Sequence, residues 1–503
     1  MGCLIMGQPT IHPTGVTIYN PEKAWNGYTL MPIMGVGAVL IDMNGNVVKT
    51  WKDLQGFPNK LLPGGQVFGH LGVRDVAHGY QDQTDLVQVD WDGKVVWKFN
   101  QKEYIEDPGN EPQWMARQHH DFQREGNPVG YYVPGMESKT DSGNTSILCH
   151  ETLYNKKISD KRLLDDCFIE VDFEGNIVWE WRANEHFSEY GFSQAAKNAL
   201  FRNPNMHKNG GGMGDWMHIN SMSVLGPNKW YDAGDERFHP DNIIWDGRET
   251  NISAIISKET GKVVWKMGPD FRETKELRKI GQIIGQHHVH MIPRGLPGEG
   301  NILIFDNGGW AGYGEPSRTS KDGIKADLRD SSRILEIDPV TMKVVWEVTG
   351  DKLYPGLMGI GDYKFYSSLV SSAQRLPNGN TLITEGVGGR LIEVTNELEI
   401  VWEYTQPHET IMNFIYRAYR YPYSYVPQIP KPVESPVEKL DIKTFRVPGA
   451  AQGQIDNLAS VEGTTGWPKK VEQCVETLDE LDPAEKKATD DDDDDEDDGF
   501  AKF

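Results

Sequence analysis

The 503-residue sequence predicts an all-β fold, a six-bladed β-propeller with an irregular C-terminal extension and a disordered acidic tail. Three observations carry this. An apolar strand, a tight turn and a second strand ending near an aromatic residue recur six times. A second kind of turn falls between the copies, and no amphipathic helical pattern separates them.

The six copies span residues 39–48, 87–97, 169–179, 254–265, 334–346 and 391–402. Asn44-Gly45 and Asp92-Gly93 at their centres are residues favoured by two-residue hairpin turns, whose central positions need positive φ. Pro63-Gly64-Gly65, Pro297-Gly298-Glu299-Gly300 and Pro377-Asn378-Gly379 mark the intervening turns, so each unit offers about four strands. The position that ends each copy holds Lys49, Trp97, Trp179, Trp265, Trp346 and Trp402. These tryptophans are expected to pack between neighbouring blades, burying faces that no blade buries alone. The closer copies approximate a single blade, and the wider spacings imply loop insertions.

The pattern divides the chain into an N-terminal arm (1–20), the propeller (21–412), a Pro-rich strap (413–475) and an acidic tail (476–503). Pro427, Pro430, Pro432 and Pro436 mark the strap, and the run from Asp490 to Asp498 repels itself too strongly to pack. Hydrophobic residues at 38%, with 15 Trp, 19 Tyr and 17 Phe, supply enough apolar surface for a large core and exclude global disorder.

A net charge of −23 and the lack of a basic run exclude a nucleic-acid partner, which demands concentrated cations against phosphates. The first residues have no basic segment followed by a long apolar one, and no run of about 18 apolar residues follows, so no membrane partner is expected and a cytoplasmic location is. Cys3, Cys149, Cys167 and Cys474 form no Cys-x-x-Cys motif and suggest neither a zinc knuckle nor a disulfide framework. No pattern specifies an oligomeric state.

Histidines concentrate in three segments: Gln118-His119-His120-Asp121-Phe122, Asp215-Trp216-Met217-His218-Ile219-Asn220-Ser221, and Gln286-His287-His288-Val289-His290. Each precedes a blade's middle turn. A propeller brings equivalent positions of successive blades around one axis, so these imidazoles are expected to meet in the central channel. There one ring can serve as nucleophile or general acid/base while others, with an arginine, stabilise an oxyanion. His218, His287 and His120 are the catalytic candidates. Asp121, Asn220 and Gln286 suit the orientation of neighbouring rings or the binding of substrate oxygens.

His70 and His78, which flank Arg74, are possible additions to the site, and Arg375 beside Ser371-Ser372 is a candidate anion ligand. Residues 305–314 follow a strand and are rich in glycine but lack a Walker lysine, so they read as a loop at the channel mouth. Trp310 and Tyr313 in that loop are available to stack on a planar substrate.

These motifs together resemble the bacterial arylsulfotransferase family. The resemblance spans about residues 14–407. It rests on Tyr28-Thr29-Leu30 with Leu40-Ile41-Asp42-Met43-Asn44-Gly45, on His119-His120-Asp121, on Asp215-Trp216-Met217-His218-Ile219-Asn220-Ser221, on Gln286-His287 with Phe305-Asp306-Asn307-Gly308, and on residues 371–380. It implies a six-bladed propeller that moves a sulfuryl group between phenols, without a nucleotide donor, through a transiently sulfated histidine. The His-Ile-Asn-Ser motif carries over to His218, the Gln-His motif to His287, and the sulfate-binding arginine to Arg318. Where the resemblance places the sulfated histidine, residues 366–374 hold serines and no histidine.

The leading expectation is therefore an arylsulfotransferase-like enzyme acting on a small aromatic or anionic substrate, with no cofactor required. An alternative gives the ring a transition metal (copper, iron or zinc) held by His288 and His290 with His119 or His120, for oxidoreductase, lyase or hydrolase chemistry. A third reading is a non-enzymatic scaffold whose acidic tail recruits basic partners.

Overall fold

In the first three repeats the turn is built by an aspartate and a glycine. The Asp42 Oδ1 accepts the backbone N–H groups of Asn44 and Asn46, and Asp90 does the same for Asp92 and Lys94. Only the glycines take positive φ, 84° at Gly45 and 88° at Gly93, and the pairing register slips beside them. These are three-residue loops with a glycine bulge rather than the two-residue turns expected from sequence. The aspartate stabilises a longer turn by accepting N–H groups that a tighter hairpin would leave to the opposite strand.

The computed structural model describes residues 12–206, 212–355, 361–408 and 413–441. Six four-stranded antiparallel units follow one another within the unit ending at Leu440. Blade 2 (first strand Gln55–Leu62) and blade 3 (first strand Gln118–Arg124) share one sheet through the pair Gln118 and Gln83. Blades 4, 5 and 6 begin with Ile219–Val224, His287–Met291 and Ser372–Arg375. In blade 3 the first strand is wholly buried and the fourth, Ile177–Arg182, largely exposed. First strands of neighbouring blades also lie against one another, which sets them at the centre.

The tryptophans bind the ring. The indole N–H of Trp51 donates to the Asp90 carbonyl of the next blade, Trp97 to Phe173, Trp179 to Lys258, Trp265 to Pro339, Trp346 to Asn396, and Trp402 to Met43 of blade 1, at 2.8–3.1 Å. In blade 1 this part falls to Trp51 and not to position 49. The Lys49 ammonium instead lies over the Trp91 ring, 4.8 Å from its centroid.

The ring closes with strands from both ends of the described chain. Tyr419–Tyr421 pairs with Tyr28–Ile33 as the first strand of blade 1, and Gly15–Tyr19 pairs with Ile400–Thr405 as a fifth strand of blade 6. Residues assigned from sequence to the strap and the arm thus contribute to the sheets. Arg420 anchors the closure, because its guanidinium pairs with Glu393 of blade 6, lies 4.3 Å from the Trp402 ring centroid and donates to Thr29. The acidic tail (476–503), Cys3 and Cys474 lie outside the described residues. Cys149 and Cys167 are buried free thiols on adjacent strands. Among the described residues no helix is long and apolar enough to cross a membrane.

His70, on the second strand of blade 2, is fully buried, and neither ring nitrogen has a hydrogen-bond partner among the described residues. Burial pushes its pKa down to about 3. The unfolded chain, with an ordinary histidine near 6.5, binds this proton first, so the contribution is complete above pH 6.5 and is lost as pH falls toward 3. Replacing His70 by Leu is expected to flatten the acid limb by ~1.4 kcal/mol per pH unit relative to wild type, read from urea unfolding between pH 6.5 and 4.5. For the closure, Arg420→Ala leaves Glu393 buried and unpaired and is expected to cost about 3–5 kcal/mol. The double replacement of Arg420 and Glu393 by Leu should recover most of that loss in the same measurement.

Candidate active site

Three first strands carry the same backbone distortion. His120, His218 and His288 take left-handed φ values of 53°, 50° and 54°, at or beside the points where pairing slips in blades 3, 4 and 5. Blade 6 repeats it at Val370 and Ser371, with φ of 56° and 93°. A β-branched or imidazole side chain resists this conformation, so the surrounding packing must hold it. Such an interruption re-aims the side chain relative to the pleat. The His120 and His218 rings meet edge to face, with centroids 4.6 Å apart.

Buried carboxylates and imidazoles orient the two rings. The Nδ1 of His218 lies 2.7 Å from the Asp215 carboxylate, and the Nδ1 of His120 lies 2.8 Å from the Nδ1 of His119. The Nε2 atoms of His218 and His120 have no hydrogen-bond partner among the described residues. Burial drives the pKa of both imidazoles well below the ordinary value, reinforced at His120 by the neighbouring His218 and His119. The same burial pushes Asp215 up to about 6. At neutral pH the pair is a carboxylate receiving the Nδ1–H of an uncharged ring, which leaves a lone pair on Nε2.

Cations and aromatic rings surround this pair. Arg248, buried beside His218, pairs with Glu249, whose carboxylate also holds Lys325 at 3.0 Å. The Nε of Arg248 is buried with no partner among the described residues, and its charge acts on both His218 and His287. Tyr416 lies 5.7 Å from His120 and 6.4 Å from His287, and Phe57 packs 5.0 Å from Tyr416, all between ring centroids. Below, Asp121 bridges Lys60 at 2.7 Å and Arg417 at 2.8 Å. Asp121 is thus committed to two cations rather than to an imidazole.

The structure separates the remaining sequence candidates. His287 comes to the same region, but both its nitrogens are engaged: Nδ1 donates to Asn307 at 2.7 Å, and Nε2 accepts the Val370 N–H at 3.1 Å. Its ring thus joins blades 5 and 6. Asn220 donates to the Gln286 carbonyl, and Gln286 to the carbonyls of Gly247 and Ile252, so both amides tie strands together. Arg375 is buried and paired with Glu336 at 2.5 Å, its charge already compensated. Arg318 stands exposed on the loop between Ala311–Tyr313 and Ile324–Asp327.

Trp310 is on the exposed rim. Tyr313 is close enough to Glu249, Asp215 and Arg248 to feel their charges, but its hydroxyl donates to the Trp216 carbonyl. Arg74 pairs with Asp82 and Asp107, a buried structural contact. Of the metal set foreseen from sequence, His288 and His290 lie together, with ring centroids 4.3 Å apart, and His119 lies elsewhere. His288 accepts from Tyr419 and His290 from Tyr131, while His119 turns to His150 and Asp166 in blade 3.

Asp215 belonged to a recognised motif, and only its contact shows its part. Arg248, Tyr416, Phe57 and His150 carried no local pattern that distinguishes them from packing residues.

A comparison with curated proteins returns no match. Among solved structures the chain is similar to a protein of unknown function from Bacteroides caccae, at 11% identity over 78% of this chain and 98% of that one, with a TM-score of 0.41. It is similar also to the Myceliophteria thermophila Cps50 (Swd1) β-propeller domain (10% identity, 80% and 90% covered, TM-score 0.34) and to virginiamycin B lyase of Staphylococcus aureus (9%, 79% and 85%, 0.34). The family profile described as Arylsulfotransferase (ASST) matches residues 136–421, a span holding the last three strands of blade 3, blades 4 to 6, the closing strand and both His218 and Arg248. More than half the chain carries that match, and the protein belongs to the arylsulfotransferase family.

Proposed function

We propose that this protein transfers a sulfuryl group from an aryl sulfate ester to a phenol, with His218 as the nucleophile. The observation that carries the reading is the Asp215–His218 pair, buried beside Arg248 and with Nε2 left for reaction. A carboxylate on Nδ1 holds the ring in the reactive tautomer and offsets the charge it gains on attack. The serines of residues 366–374, where the family resemblance calls for a histidine, support moving the covalent role to His218.

In the first step the Nε2 lone pair forms a bond to sulfur as the sulfur–aryl oxygen bond breaks, and the donor leaves as a phenolate. The sulfonated ring is then cationic and faces Asp215. In the second step an acceptor phenolate attacks sulfur, the N–S bond breaks and neutral His218 returns. Arg248 meets the sulfonate oxygens, as a guanidinium matches such a group. His120, kept uncharged by burial, serves as a neutral donor to the phenolic oxygen. Phe57 and Tyr416 offer faces for the aryl ring.

The test is 4-nitrophenolate release from 4-nitrophenyl sulfate with and without a phenol acceptor. Acceptor-dependent release is expected. His218→Ala should lower kcat by about 10³-fold or more, and Asp215→Asn by about 10²–10⁴-fold through the wrong tautomer. Arg248→Ala should reduce kcat/KM by about 10²-fold, while Arg318→Ala leaves it unchanged. Full activity in His218→Ala, or no turnover by wild type across a panel of aryl sulfates and phenols, would overturn the proposal. A base-stable sulfonate adduct on the peptide containing His218, trapped without acceptor, separates covalent from direct transfer.

A further inference from the structure

We propose that His119, His150 and Asp166 form a binding site for one divalent transition ion, with zinc the best match to the donor set, directly behind His120. The three residues come from three consecutive strands of blade 3. His119 lies on Gln118–Arg124, and His150 and Asp166 are cross-strand neighbours on Thr145–Leu153 and Leu163–Val171. One ligand atom from each lies within 4.8 Å of the others.

The unsatisfied atoms point to an ion. The Nε2 of His119, the Nε2 of His150 and the Oδ1 of Asp166 are all buried, and none has a hydrogen-bond partner among the described residues. His119 Nε2 and Asp166 Oδ1 are only 3.2 Å apart, close enough to share a cation but not aligned as a hydrogen bond. The His119 and His150 rings stack with centroids 3.5 Å apart, so a shared ion requires one ring to turn out of the stack; three orphaned buried atoms this close would be costly if nothing joined them. The contacts behind the ligand atoms fit as well. Asp82 holds the Nδ1 of His150 at 2.6 Å, and the Asp166 Oδ2 accepts the Ile219 N–H at 3.2 Å. A carboxylate on the far nitrogen of a histidine is the usual support of a metal-bound imidazole.

Charge gives an independent argument. Asp82 is compensated by Arg117 and Arg74, whereas Asp166 and Asp215 have only imidazoles as ion-pair partners among the described residues. Asp166 is fully buried, and a divalent ion would compensate its charge there. Two imidazole nitrogens and one oxygen favour zinc or a neighbouring transition ion over calcium or magnesium. The Oδ1 of Asp215, also buried and unpartnered among the described residues, is close enough to act on both imidazoles.

The site reaches the reacting region through one proton relay. An ion on His119 Nε2 places that ring's proton on Nδ1, which donates to the Nδ1 of His120 at 2.8 Å. His120 must then carry its own proton on Nε2, and its ring meets that of His218 at 4.6 Å between centroids. The ion thereby keeps His120 a donor, a role that rests on the sulfuryl-transfer reading; ion binding itself does not.

The experiment measures zinc content of the full-length protein by elemental analysis after chelator dialysis and reloading with zinc. About one equivalent is expected in wild type, and at least a 10-fold loss in His150→Ala and in Asp166→Asn, with His218→Ala retaining it. Should those variants fail to fold, cobalt loading of the wild type replaces them, with a four- or five-coordinate visible spectrum and two imidazole nitrogens by magnetic resonance. Selectively ¹⁵N-labelled histidine should show His120 moving to the Nε2–H tautomer on zinc addition. Less than a tenth of an equivalent in wild type, undiminished content in folded variants, or a cobalt spectrum without nitrogen ligands overturns the site. An unaltered His120 tautomer overturns the relay. Metal content is read without turnover, so it is independent of the activity assay.

Discussion

Six indole N–H groups, each donating to a backbone carbonyl of the next blade, are the constraint on which the rest of the molecule depends. Each bond alone contributes modestly, since water would otherwise take both partners. Their weight is geometric. An indole buries a large apolar face between two sheets while its one donor fixes the lateral position of the neighbour. Repeated around the ring, this sets every first strand at the same depth. The imidazoles of blades 3, 4 and 5 meet for that reason.

Closure then buries the centre. Tyr419–Tyr421 enters as the first strand of blade 1, and Tyr416 and Arg417 just before it reach inward to the Asn220 carbonyl. One segment therefore both seals the ring and furnishes the floor of the site. A floor of buried aromatic and paired charged groups keeps the imidazoles uncharged, and uncharged imidazoles are what nucleophilic attack and ion binding both require.

Around His218 and His120 the same logic is applied twice. Each ring has its Nδ1 occupied, one by a carboxylate and the other by a second imidazole, so Nε2 is the atom presented. Asp215 stands between the two devices, with one oxygen on His218 and the other beside the His119–His150 pair. The strained backbone at His120 and His218 is the local cost of presenting these atoms, sustained by a ring too rigid to relax it.

The propeller was legible in the chain because its signals are local and repeated: alternating apolar strands, Asp- and Gly-bearing turns, and tryptophans at matching places. The same repetition announced that His120 and His218 would converge. It placed Lys49 at the equivalent register position, opposite Leu40, but could not show that Trp51, two residues on and on the same strand face, does the packing. It could not find the closing strand, since Tyr419–Tyr421 has no repeat partner beside it in sequence. Arg318 and Arg248 are alike as residue types, and only the loop path leaves one in solvent and the other beside His218. His150 and Asp166 sit on neighbouring strands of a blade whose repeat pattern says nothing of them. Periodicity along the chain therefore determined the architecture and the ring of histidines. Which nitrogen is free, which charge is compensated and which carboxylate is shared were decided by contacts between segments far apart in sequence, and those exist only once the ring has closed.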